Sequence, residues 1–259
     1  MQSDLFSEKL ENQFELCLKH LSAFCIKRNA EDLHQFRVSV KKIRALLILA
    51  KACDKEFRFK SIITDLKSIY RQAALIRNQQ VITTLLKQNW STCPEKHLTA
   101  INSQVEYLIS KFIIKQVLFE NTIVNISASC LKFYPKINKP LFAKVIRKYI
   151  NQISDAVHSK ITPSKFHELR KQLKILLYIV RFSENKNYID SEQLKLIDGL
   201  QNSIGQWHDM KMLSIFLKQR EIIMPAVKLK QLTQKEKIKT EEIYSSINIL
   251  KYSLSKSDL

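Results

Sequence analysis

Histidine, arginine and lysine stand three and four residues apart at two places in this chain: His34, Arg37 and Lys41, then His167, Arg170 and Lys174. On an α-helix, positions i, i+3 and i+7 put all three side chains on one face. Such a row can hold a multiply charged anion. Arginine offers a forked set of donors to two oxygens, lysine a mobile point charge, and histidine a charge that depends on pH. The apolar residues around each row repeat too. Leu33, Phe36, Val40, Ile43 and Leu47 return as Phe166, Leu169, Leu173, Leu176 and Val180 at a constant offset of 133 residues. Their spacing makes one stripe of an amphipathic helix. With roughly 100° of turn per residue and each histidine set at zero, the stripe centres near about −140° and the basic residues fall between about −60° and zero. The row therefore borders the core face, and no acid occupies it in either copy.

Long helices must position these rows, and the composition favours them. Only two glycines and five prolines occur among 259 residues, far too little turn chemistry for a β-rich chain of this length. The expected fold class is all-α. A hydrophobic share of 45% is enough for a substantial core without staples. The formal net charge of +19 strains the compact state by self-repulsion and points to a polyanionic partner, be it nucleic acid, an acidic membrane surface or a phosphate polymer. Cys17, Cys25, Cys53, Cys93 and Cys130 are odd in number and form no CxxC pair, so they read as small core residues in a reducing compartment. The N-terminus lacks the pattern of a secretory signal, and no apolar run reaches the roughly 20 residues that span a bilayer. A cytoplasmic location is expected, with no membrane partner.

Along the chain, the apolar stripes predict a first helix over about residues 3–28 and a second from an Asn29 cap to about Cys53, with Asp32 in the capping-box position. A break near Asp54 precedes a third helix over about 57–90. Its stripe, Leu66, Ile69, Ala73 and Ile76, then Val81, Ile82, Leu85 and Leu86, is interrupted by polar residues 77–80. Pro94 opens a fourth helix expected to reach about Phe133, bent among residues 121–129. Pro135 and Pro140 bracket a seam, with Asn138 as cap of a fifth helix running to about Lys160. Thr162 and Pro163 read as N-cap and first residue of the sixth. After a loop at 183–190, the seventh helix repeats the third at an offset of 131, with Ile197, Leu200, Ile204 and Trp207, then Met212, Leu213, Phe216 and Leu217, interrupted by residues 208–211. Pro225 separates a last, very basic helix with a frayed tail. The expected architecture is a duplicated pair of antiparallel four-helix bundles, with repeats over about residues 1–135 and 138–255.

A His-x-x-Arg helix followed by a long helix with an Arg-Asp-like or Asn-Asp-like interruption, the whole duplicated, resembles the CHAD domain, the conserved-histidine α-helical domain. The likeness spans almost the entire chain as a single domain. It implies two bundles related by a pseudo-twofold axis, with a basic central groove or pore that binds inorganic polyphosphate. Carried over residue by residue, the first motif is His34, Arg37, Lys41, Lys42 and Arg44. The second keeps His167, Arg170 and Lys174, but Ile175 and Leu177 stand at the next two usually basic positions, with Lys171 as partial compensation. The second copy is thus expected to contribute less binding charge. Arg77-Asn78 and His208-Asp209 occupy the interruptions of the third and seventh helices, where Arg77 and His208 are candidates for ligand contact or for orienting the row. CHAD domains often accompany a triphosphate tunnel domain with strand-borne glutamate pairs, and this sequence has no such segment, so no hydrolytic activity is carried over.

The function expected is non-catalytic polyphosphate binding, with recruitment to polyphosphate granules as its cellular counterpart. Two other classes stay open. A charge of +19 would also attract DNA or RNA, although no separate recognition helix stands out. A four-helix bundle with a phosphate-accepting histidine would make a histidine phosphotransfer protein, but that needs a histidine clear of crowded basic rows. No cofactor or metal is expected: His20, His97 and His158 lie apart on different helices, and there is no glycine-rich phosphate loop and no activated nucleophile. Trp90 and Trp207 read as core, and the basic stretch at 228–239 as a solvated face.

Overall fold

A computed structural model describes residues 3–53, 57, 59–131, 139–182 and 189–255. Among the described residues the chain forms nine α-helices and no strand, as the scarcity of turn residues requires. They are α1 (Ser3–Lys27), α2 (Ala30–Cys53), α3 (Phe59–Asn89), α4 (Glu95–Ile113), α5 (Gln116–Leu131), α6 (Lys139–His158), α7 (Phe166–Phe182), α8 (Ser191–Gln219) and α9 (Ala226–Ser255), with a 3-10 turn at Pro163–Lys165 before α7. The expected break at Asp54, the seam from Pro135 to Asn138, residues 183–188 of the expected loop and the end of the tail lie outside the described residues. Two compact units emerge: residues 1–83 with 98–143, and residues 84–97 with 144–259.

In the first unit, α1 and α2 form a tight hairpin. Arg28 adopts a left-handed φ of 55° as its amide donates to the Phe24 carbonyl at 2.8 Å. The Asn29 side chain then accepts from the Glu31 amide at 2.9 Å, which is the predicted cap. Asp32 completes no capping box; it turns toward His20, with 3.9 Å between Oδ1 and Nδ1. Aromatic rings bind the helices together. Phe112 of α4 meets Phe24 of α1 at 5.8 Å, Phe36 of α2 at 6.4 Å and Phe119 of α5 at 5.0 Å. All four are buried, and each contributes on the order of 1.5–3 kcal/mol through burial.

The expected single helix over residues 94–133 is instead two helices, broken at Ile114 and Lys115 and regular through 121–129. Core geometry accounts for the change. The Lys115 amide donates to the Phe112 carbonyl at 3.1 Å, a three-residue bond that tightens the end of α4. The turn leaves Phe112 and Phe119 on the same buried cluster while Ile114 stands 80% exposed. A further difference occurs at Thr162. Its backbone is extended as an N-cap requires, but its side chain caps no amide; the hydroxyl pairs with Ser164 Oγ at 2.8 Å, and Pro163 opens the 3-10 turn rather than α7 itself.

The second unit is built around Phe166 at the start of α7. Its ring packs edge-on against Trp207 of α8 at 5.2 Å and Tyr244 of α9 at 5.5 Å. Asp190 caps α8, accepting from the Gln193 amide at 2.7 Å, so the last residue of the expected loop belongs to the helix start. Residues 84–97 contribute Trp90, buried and 6.3 Å from the His97 ring, while Asn89 accepts from Lys235 of α9 at 2.9 Å.

Candidate anion-binding site

The apolar stripe of α2 is buried at Leu33, Phe36, Val40, Ile43 and Leu47. Beside it, His34, Arg37, Lys41 and Lys42 are half-buried, and Arg44 is exposed. The row thus borders the core, as its angular position predicts. Tyr70 of α3 organises it. Arg37 Nη2 donates to the Tyr70 hydroxyl at 3.1 Å, its guanidinium carbon lies 4.9 Å from the ring centroid, and Lys41 Nζ lies 5.8 Å from the same ring. Arg37 Nε is buried without a hydrogen-bond partner, a donor that desolvation makes costly to leave unmet. Burial holds the His34 pKa below its ordinary value; Arg77, Lys41 and Arg37 push in the same direction, and only Glu31 opposes them. Arg77 of α3 is therefore near enough to act on the row that α2 presents.

On α7, Phe166, Leu169, Leu173, Leu176 and Val180 are buried, Arg170 and Lys174 are half-buried, and His167 and Lys171 are exposed. Leu177 is buried and Ile175 half-buried, so the positions where the family's pattern carries more cations serve packing here. Lys171 Nζ reaches Glu168 Oε2 at 3.0 Å, which offsets part of the compensation expected of it. Arg170 Nε donates to the main-chain carbonyl of Gln201 on α8 at 3.1 Å. Its guanidinium lies in the space above Gly205, where an added Cβ would come 2.5 Å from Nη2 and 3.0 Å from Cζ. The His208 ring, also from α8, lies 5.3 Å from that of His167 at an interplanar angle of 40°. Burial lowers the His167 pKa most, with Lys171, His208 and Arg170 adding to it and Glu168 opposing. His208 is lowered by burial too; Asp209 opposes and Arg170 adds.

The two rows are held at equivalent register by different chemistry. At the offset of 131, Tyr70 corresponds to Gln201, Ala74 to Gly205 and Arg77 to His208. Tyr70, Gln201 and Gly205 were not among the residues singled out from sequence. Gly205 left a signal: a glycine inside a helix costs about 1 kcal/mol against alanine, so one of only two in the chain calls for a packing reason. Tyr70 left none, because an aromatic at helical spacing reads as core.

Lys42 is half-buried and Arg44 exposed on α2, and Lys174 follows Arg170 by one turn on α7. Of the other expectations, Trp90 and Trp207 are buried. All five cysteines are free thiols; burial pushes Cys25 up to about 11 and Cys130 up to about 12, so neither is an activated nucleophile. No group of three or more metal-ligating side chains occurs among the described residues, and no described helix is long and apolar enough to cross a membrane. In the basic start of α9, Lys235 and Lys239 are engaged by Asn89 and Glu242.

Among curated proteins none matches this sequence. A crystal structure of the CHAD domain from the plant Ricinus communis is similar over 99% of this chain and 92% of its own, with a TM-score of 0.73 and 16% identity. PptA from Streptomyces chartreusis is similar over 99% of both chains, with a TM-score of 0.65 and 12% identity. At these identities the likeness is one of fold. The sequence itself matches the CHAD domain family over residues 8–218, a span that contains both basic rows, Tyr70, Gly205 and the His167–His208 pair, and the chain therefore belongs to the CHAD domain family.

Proposed function

We propose that this chain binds inorganic polyphosphate, without performing chemistry on it, through the basic rows of α2 and α7. One observation carries the reading: Arg37, central to the α2 row, is oriented by the neutral Tyr70 hydroxyl and keeps its Nε buried without a hydrogen-bond partner. An arginine oriented by a carboxylate has spent its charge. One oriented by a phenol, as Arg37 is, keeps it for an incoming anion. The row from His34 to Lys41 extends about 10 Å along α2 at 1.5 Å per residue, a track for several consecutive phosphates rather than a pocket for one. Membership of the CHAD family supports polyphosphate as the polymer, and recruitment to polyphosphate granules is its cellular counterpart. The net charge of +19 also draws nucleic acid, as a non-specific and salt-sensitive competitor.

The test is titration with polyphosphate of defined length, comparing the wild type with a variant carrying Arg37→Ala, Lys41→Ala and Arg170→Ala. If each lost charged contact costs even about 1 kcal/mol, the expected weakening is roughly a hundredfold or more, with an unchanged far-UV spectrum. Wild-type affinity in the folded variant would remove both rows from the site.

A further inference from the structure

We propose that His167 and His208 form a proton-linked phosphate clasp: a phosphate chain entering the α7 row draws protons onto both imidazoles, so binding there strengthens as pH falls. This rests on the polyphosphate reading above and adds to it a regulation specific to one row. The geometry is that of two rings from two helices facing each other at 5.3 Å, near enough for phosphate oxygens to accept from both once both carry protons. Without an anion, that doubly charged state is opposed. Arg170 acts against a charge on either ring, and Lys171 and His208 act against a charge on His167.

Glu168 favours a charge on His167 and Asp209 a charge on His208. Glu168 of α7 is engaged with Lys171, and Asp209 lies beside His208 on α8. On the side of α9, Glu236 is engaged by Lys211 at 3.1 Å. A polyanion therefore supplies the compensating charge, and each neutral imidazole becomes an imidazolium with a proton from the buffer. The α2 row lacks the device. There Arg77 acts on His34, and its charge does not titrate, so one member of the corresponding pair is permanently charged. The α7 row carries less fixed charge, and its pair makes up the difference only in mildly acidic conditions.

The experiment measures the affinity of the full chain for long-chain polyphosphate, whose internal phosphates keep constant charge, at pH 6, 7 and 8. Calorimetry in two buffers of different ionisation enthalpy counts the protons taken up. The wild type should take up protons and tighten on acidification. His208→Arg, which copies the α2 arrangement, should bind more tightly than wild type at pH 8 and take up about one proton fewer, flattening the pH dependence by up to about tenfold per pH unit. Arg77→His should steepen it. Both comparisons use imidazole proton resonances to confirm that the remaining rings keep their environment. Binding without proton uptake in the wild type, or an unchanged slope in His208→Arg, overturns the clasp while leaving polyphosphate binding intact. Absence of binding at every pH overturns the polyphosphate reading and the clasp with it.

Discussion

Gly205→Ala separates the positioning of Arg170 from the stability of α8. The added methyl would come 2.5 Å from Nη2, 3.0 Å from Cζ and 3.2 Å from Nε of Arg170, so the whole guanidinium must move. It is the far end of a flexible side chain, and moving it breaks the bond from Nε to the Gln201 carbonyl. Losing a hydrogen bond from a charged donor costs about 1.5–3 kcal/mol, discounted here because the half-buried head regains water. Against that, alanine improves the helix by about 1 kcal/mol. The two effects nearly cancel, giving a net change within about 1 kcal/mol and a melting shift of no more than about 2–4 °C for a chain of this size. Affinity should behave otherwise. An arginine freed from its fixed place must be ordered again on binding, at about 0.5–1.5 kcal/mol for a rotamer-rich side chain, a weakening of roughly two- to tenfold. Thermal unfolding and polyphosphate titration on the same preparation distinguish the two quantities. Unaltered affinity together with a large loss of stability would mean that Gly205 serves packing alone and that the placement of Arg170 is incidental to binding.

Two further outcomes follow from the fold. Because the folded-state pKa values of His34, His167 and His208 all lie below the ordinary value of 6.5, the unfolded chain binds more protons than the folded chain as pH drops through that value. These residues' share of stability is complete above about pH 6.5 and declines below it; the melting temperature of the protein alone should fall between pH 7 and 5, and added polyphosphate should reduce the fall. A pH-independent melting temperature across that window contradicts the partial desolvation and the neighbouring cations assigned to these rings. At the end of α8, Glu221 takes a left-handed φ of 52° inside a paired cap, with its own amide on the Lys218 carbonyl at 3.3 Å and the Ile222 amide on the Leu217 carbonyl at 3.0 Å. Glycine is the residue suited to that position, so Glu221→Gly should stabilise by about 1 kcal/mol, raising the melting temperature without altering polyphosphate affinity. A lower melting temperature would contradict the strain assigned to this turn.

Much of the fold was legible because the apolar period is unbroken where helices are long. The stripes of α2 and α7 are buried at every expected position, and their basic neighbours lie at the border of the core because that angle follows from spacing alone. The turn at Ile114 and Lys115 was illegible for the opposite reason: no glycine or proline marks it, and the break follows from the shared burial of Phe112 and Phe119, a tertiary demand. The polar residues 77–80 interrupt the stripe of α3 but not its helix, and Arg77 among them acts on His34 of the α2 row. In the site, residues that carry charge declared themselves, whereas of those that hold them only Gly205 left a signal. A carbonyl of Gln201, the face of Tyr70 and the missing side chain of Gly205 act through backbone, ring and space, none of which has a charge pattern to read.

Selection of a phosphate polymer over polyanions at large is the property on which the proposed binding by these rows rests. Its most direct test is competition, at near-physiological salt, of long-chain polyphosphate against tRNA and single-stranded DNA for the wild-type chain and for the Arg37→Ala, Lys41→Ala and Arg170→Ala variant. Polyphosphate should displace both nucleic acids from the wild type and lose that advantage in the folded variant. Equal competition by all three polymers, or an advantage that survives the three substitutions, would contradict the claim and leave the net charge of +19 as a non-specific attractor.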